Sequence, residues 1–65
     1  MNTNRKAIKN LTVGDTFHLS NDTVYVVTRP VRTGGGRTAV TYKVEGTGAE
    51  FEFVRPSLTD AYMVD

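Results

Sequence analysis

The chain reads as an all-β fold, and three observations predict it. Apolar and polar residues alternate with period two in several short runs, the signature of strands with one buried face. Valine, threonine, tyrosine and phenylalanine fill those runs, and these residues suit a pleated, half-buried surface. Glycine, asparagine and proline separate the runs at short intervals, where turns need them.

Residues 15–20 place Phe17 and Leu19 on one face and Thr16 and His18 on the other. Asn21-Asp22 fits a two-residue hairpin turn into residues 23–29, a valine- and aromatic-rich run expected to be buried on both faces. Residues 37–45 alternate with Val40, Tyr42 and Val44 inward and Thr41, Lys43 and Glu45 outward. Gly46-Thr47-Gly48-Ala49 is a hairpin loop, and residues 50–54 set Phe51 and Phe53 against Glu50 and Glu52. Pro56 ends that strand, because proline cannot donate to a ladder. Residues 57–60 fit a short 3₁₀ turn, and residues 61–64 form a short last strand.

Before the first strand, residues 1–10 read as a basic tail or a short helical turn with Ile8 pinned to the body of the fold. Residues 11–65 then make one domain. Leu11-Thr12-Val13-Gly14-Asp15 leads into it, with a tight bend at Gly14. Five short strands with a single turn before the last predict a small SH3-like barrel, since curling a sheet removes most of its exposed edge. The expected core is Leu11, Val13, Phe17, Leu19, Val24, Val26, Val40, Tyr42, Val44, Phe51, Phe53, Leu58 and either Met63 or Tyr62 with Val64.

Sixty-five residues, 38% of them hydrophobic, allow one compact core. There is no cysteine and one histidine, so no disulfide and no metal site of the usual ligand set is expected. No cofactor motif appears either. Gly36-Arg37-Thr38 echoes the end of a phosphate-binding loop, but its first glycine would fall at Val31 and a strand follows where a helix is needed. His18 has no nucleophile at a catalytic spacing, and Glu50 and Glu52 read as a solvated strand face that guards an edge. A non-enzymatic protein is expected. Neither a signal peptide nor a membrane span is read from the sequence, and a cytoplasmic setting is expected, the host cytoplasm if the chain is of phage origin.

Net charge is +1, unevenly spread. Residues 1–43 hold seven basic and two acidic side chains, a charge of +5, and residues 44–65 hold one basic and five acidic, a charge of −4. The strongest functional feature is Arg32-Thr33-Gly34-Gly35-Gly36-Arg37, read as a mobile basic loop between two strands, with Arg29 close behind. Arg29, Arg32, Gly34, Gly35, Gly36, Arg37 and Lys43 are the candidate binding residues. Two partners suit them. One is a protein, bound through the loop or an exposed barrel edge. The other is RNA or DNA, with arginines on phosphates and Tyr25 or Tyr42 as a stacking surface. Near-neutral total charge tips the expectation towards the protein, and a homodimer through a free strand edge suits a chain of this size.

Leu11-Thr12-Val13-Gly14-Asp15, the run 24–27, the glycine-rich loop, the run 39–44, Gly46-Thr47-Gly48 and Glu50-Phe51-Glu52-Phe53 together resemble the N-terminal KOW-like, SH3-like domain of the elongation factor P family. The resemblance spans roughly residues 11–64. It implies the barrel and contact with RNA. In that family a lysine stands between glycines at the loop tip and is modified, whereas this chain has Gly35 there. Arg32 and Arg37 nearby do not accept those modifications, and the family's further domains are absent, so the resemblance does not carry translation-factor activity with it. The short, threonine- and valine-rich chain also looks like small accessory proteins of bacteriophages.

Overall fold

A computed structural model describes residues 4–19 and 23–64. The strands are β1 Arg5–Ala7, β2 Thr16–His18, β3 Tyr25–Val27, β4 Arg32–Gly34, β5 Arg37–Val44, β6 Glu50–Pro56 and β7 Asp60–Met63. All pairings are antiparallel, in the order β1-β7-β2-β3-β5-β4, with β6 along the other edge of β5. The result is an all-β, curled half-barrel, compatible with a small SH3-like barrel. No helix among the described residues is long and apolar enough to cross a membrane.

The five expected strands are present, and two three-residue strands join them. Arg5–Ala7 pairs with β7, setting Arg5 opposite Tyr62 and Ala7 opposite Asp60. Arg32–Gly34 pairs with the start of β5. Neither shows alternation in sequence, because three residues hold too few positions for a period to appear. The one 3₁₀ helix among the described residues is Ile8–Asn10, directly after β1 and within the segment read as a tail or a short helical turn, and not at residues 57–60. Between β6 and β7 the Thr59 N–H donates to the Pro56 carbonyl at 2.9 Å. That single turn does not extend into a helix, since Asp60 is already in register with Ala7. The expected Asn21-Asp22 turn lies outside the described residues.

Ile8, Leu11, Phe17, Val27, Val40 and Ala61 form the buried core, with Leu19, Tyr25, Val31, Tyr42, Phe53 and Met63 packed against it. The 3₁₀ turn drives Ile8 into this core. It is held there by the Ile8 N–H on the Thr59 carbonyl at 2.9 Å and the Leu11 N–H on the Ile8 carbonyl at 3.2 Å. Phe17 meets Tyr25 and Phe53 with ring centroids at 5.5 and 6.4 Å, and Tyr42 meets Tyr25 and Phe53 at 4.9 and 5.4 Å. Tilted and edge-on rings at such spacings add to the area they bury.

Several core expectations are corrected. Val27, not Val26, is buried, because it stands opposite Tyr42 and shares its inward face. Val24, Val26 and Val44 are half-buried, so the run 23–29 is not buried on both faces. Val13 and Leu58 lie in turns and are 56% and 74% exposed. Phe51 follows the predicted face, opposite Tyr42, but stands near the start of β6 and is 52% exposed. On β7, Ala61 is buried and Met63 packs on the core, while Tyr62 turns to the other face beside His18.

Two polar clusters brace the framework. Asp15 Oδ2 accepts from the Thr12 N–H at 2.9 Å, the Thr12 hydroxyl at 3.2 Å and Lys6 Nζ at 3.2 Å, which ties β1 to the turn before β2. Partial burial pushes the Asp15 carboxyl upwards. The Thr12 N–H, Lys6 and the Thr12 hydroxyl outweigh that and hold it below its ordinary value. The second cluster is a hydroxyl chain. Thr33 and Thr38 share a hydrogen bond at 2.9 Å, and the buried Thr38 donates to the Ser57 hydroxyl at 2.9 Å.

The burial order sets the cost of truncation. Phe17→Ala should lose about 3–5 kcal/mol, close to the whole stability of so small a domain. Phe51→Ala should lose clearly less. Urea denaturation of both variants checks the order, and equal losses would contradict the inward assignment of Phe17 alone.

Candidate functional site

The glycine-rich segment is a tight β-hairpin. Arg32 pairs with Ala39, Thr33 with Thr38 and Gly34 with Arg37, which leaves only Gly35 and Gly36 as the turn. Their φ angles are +61° and +76°, the two positive values a type I′ turn requires. An added Cβ at either would meet nothing within 4 Å, so backbone conformation, not space, demands glycine there. The hairpin is also tied down. The Ser57 N–H donates to the Gly36 carbonyl at 3.0 Å, and the hydroxyl chain links Thr33 through Thr38 to Ser57. The expected mobile loop is therefore a braced turn carrying an arginine on each strand.

Antiparallel partners point to the same face of a sheet, so the register assembles the outer face of β4, β5 and β6. Ala39 stands between Arg32 and Val54, and Arg37 between Gly34 and Pro56. Thr41 stands opposite Glu52, and Lys43 between Val26 and Glu50. The connection from β3 to β4 brings Arg29 over the same face. Arg29 Nε donates to Glu50 Oε2 at 3.1 Å, and Arg32 donates to Glu52 Oε2 at 3.3 Å. The Thr28 hydroxyl also donates to Glu50 Oε2, at 3.0 Å. Bonds from Arg29 and then Thr28 hold the Glu50 carboxyl below its ordinary value, and the charge of Lys43 adds to the effect. Among the described residues Arg37 and Lys43 form no ion pair.

Between the two arginine–glutamate pairs lies an open groove of about 760 Å³, lined by Arg29, Pro30, Arg32, Thr41, Glu50, Phe51 and Glu52. It offers alternating charges beside apolar surface. No group of three potential metal ligands occurs among the described residues. His18 sits apart, its ring stacked on Tyr62 at 5.5 Å and Nδ1 3.2 Å from the Leu19 carbonyl.

The candidate residues Arg29, Arg32, Arg37 and Lys43 thus share one face, with Gly34, Gly35 and Gly36 at its end. Glu50 and Glu52, which the sequence reads only as a solvated strand face, belong to the same face. The signal was present in the alternation Glu50-Phe51-Glu52-Phe53, which turns both carboxylates to one side. The register that brings that side against Arg29 and Arg32 is a tertiary fact. Tyr25 and Tyr42, expected as a stacking surface, instead pack against the core. No protein-family model, curated protein or solved structure matches the chain.

Two predictions follow from this geometry. Gly36→Ala should destabilise by about 1–2 kcal/mol, because a side chain is forced to positive φ. Gly34→Ala has ordinary φ and open space and should be neutral or gain up to about 1 kcal/mol. Chemical denaturation of the two variants tests whether the signs differ. For pH, Asp15 and Glu50 are both held below their ordinary values. Their contribution is complete above the ordinary carboxylate range, roughly pH 4, and is lost as pH falls through the lowered values. Tm should fall below that range, with a flatter fall in Asp15→Asn and a nearly unchanged one in the exposed Glu50→Gln. An identical acid limb in Asp15→Asn and wild type would remove Asp15 from this role.

Proposed function

We propose that this protein is a non-enzymatic interaction module that binds a protein partner through the outer face of β4, β5 and β6. The groove beside Arg29, Arg32 and Thr41 is its centre, and the glycine hairpin is its rim. One observation carries the reading: Glu50 and Glu52 already hold the guanidinium groups of Arg29 and Arg32. A nucleic-acid phosphate would have to displace a carboxylate from each arginine, which cancels much of the gain from counterion release. A polypeptide with charges of both signs can extend such pairs instead of breaking them. Phe51 and Pro30 add apolar surface, and the rigid hairpin spares the entropy of ordering a loop. The absence of cysteine accords with a cytoplasmic setting.

Fluorescence anisotropy with labelled single- and double-stranded RNA and DNA tests the choice of ligand. At roughly 20 mM salt, wild type and the Arg32→Ala/Arg37→Ala variant should both show no specific binding. Affinity capture should retain a partner at defined stoichiometry up to roughly 300 mM salt, and Thr41→Trp, which fills the groove, should release it. Tight nucleic-acid binding that weakens steeply with salt and falls in the double arginine variant would overturn the reading.

A further inference from the structure

The edge of β6 is the feature that the groove leaves unexplained. Among the described strands β6 pairs with β5 alone, and the molecule is flattened, with extents of 31 × 30 × 18 Å. The backbone groups on its free side can be assigned. The Thr41 carbonyl accepts from the Thr28 N–H at 3.0 Å, so Thr41 turns its backbone groups towards β3 and away from β6. Alternate residues of a strand turn opposite ways. Thr38, Val40 and Tyr42 therefore face β6 and bond their partners Arg55, Phe53 and Phe51. Glu50, Glu52 and Val54 are left with N–H and C=O directed to the free side. Pro56 falls in the same outward set, where its missing N–H costs the β5 ladder nothing.

Glu50 and Glu52, read from the sequence as guards of this edge, are drawn across β5 instead. The edge carries no lysine, and proline occurs only at its end. The Glu50 and Glu52 carboxylates bond Arg29 and Arg32, which lie over the opposite side of β5. Phe51 and Val54 are each 52% exposed.

We infer that β6 pairs antiparallel with β6 of a second copy, about a two-fold axis at Phe53. Register decides the occupant. With Phe53 opposite Phe53 of the second copy, Glu52 and Val54 form reciprocal backbone bonds on both sides of the axis, using the outward groups derived above. Phe51 then stands opposite Arg55 of the second copy, a cation–π match. Arg55 already lies 5.8 Å from the Phe53 ring within its own chain. No like charges face each other. A shift towards the start of the strand sets Glu52 against Glu52. A shift the other way leaves a single fully bonded pair, Val54 with Val54. The Phe53 register keeps two Glu52–Val54 pairs and confines Pro56, which has no N–H to give, to the outermost pair opposite Glu50. The strand is thus complementary to itself in one register, which suits an isologous interface. The axis is perpendicular to the sheet, so the two outer faces look the same way and each groove stays open.

The chain has no cysteine, so single cysteines report the pairing. Val54→Cys alters an exposed side chain, and Glu52→Cys gives up only the exposed ion pair with Arg32 on the outer face, away from the backbone groups of the edge. Hydrogen-bonded partners lie with Cα atoms about 5.5 Å apart, within disulfide reach. Mild oxidation of the two variants mixed should give the mixed disulfide in excess over either variant oxidised alone. In sedimentation, Val54→Pro removes an outward N–H from each copy while the β5 ladder keeps its bonds. It should weaken dimerisation by roughly tenfold or more, with an unchanged far-ultraviolet spectrum, whereas Thr41→Trp should leave dimerisation intact. Three results would overturn the inference: a wild-type monomer up to about 1 mM, a dimer indifferent to Val54→Pro, or a dominant 52–52 or 54–54 disulfide. Each leaves the groove reading to its own test.

Discussion

The register of β5 is the constraint on which the rest of this molecule depends. The strand is eight residues long, with β3 and β4 on one edge and β6 on the other. Its alternation sends Thr38, Val40 and Tyr42 to the core side and Arg37, Ala39, Thr41 and Lys43 to the outer face. A slip of one residue would exchange the two sets, bringing Lys43 inward and Val40 into water. The register is pinned at one end by the Gly35-Gly36 turn and at the other by Tyr25 opposite Val44. Core and charged face are therefore not separate designs. They are the two sides of one alternating strand.

How much of this was legible in the sequence follows from the range of each interaction. The alternation of β5 and β6 announced itself, and Ile8 was recognised as an anchor because it is the one bulky apolar residue in a basic segment. Strands β1 and β4 were hidden because tertiary pairing, not local pattern, creates them. Val26 and Val27 are adjacent valines, and only the pairing of Val27 with Tyr42 decides which is buried. Three successive glycines suggested freedom, yet two of them satisfy a turn with a fixed geometry and the third closes a strand. Two residues are enough to reverse a hairpin, so a run of three glycines suits a tight turn as well as a loop.

Charge offers the same lesson in another form. Along the chain the basic residues precede the acidic ones, as if the protein had two poles. Folding lays β6 beside β5 and interleaves them, so Arg29 meets Glu50 and Arg32 meets Glu52. Exposed pairs of this kind contribute little to stability. Here they convert a basic patch into a face of mixed sign, on which Arg37 and Lys43 form no ion pair among the described residues.

The position of β7 has a dynamic consequence. β1 and β2 do not touch as strands; β7 lies between them and alone joins β1 to the sheet, while β2 also pairs with β3. The Ile8 N–H is likewise held by Thr59, just before β7. Release of those four residues would detach β1 and loosen Ile8 at the same time, while β3, β4, β5 and β6 keep all their mutual pairings. Amide exchange should accordingly divide this small protein into two cooperative units. One spans the sheet around β5 and persists longest, and the other joins residues far apart in the chain that open together.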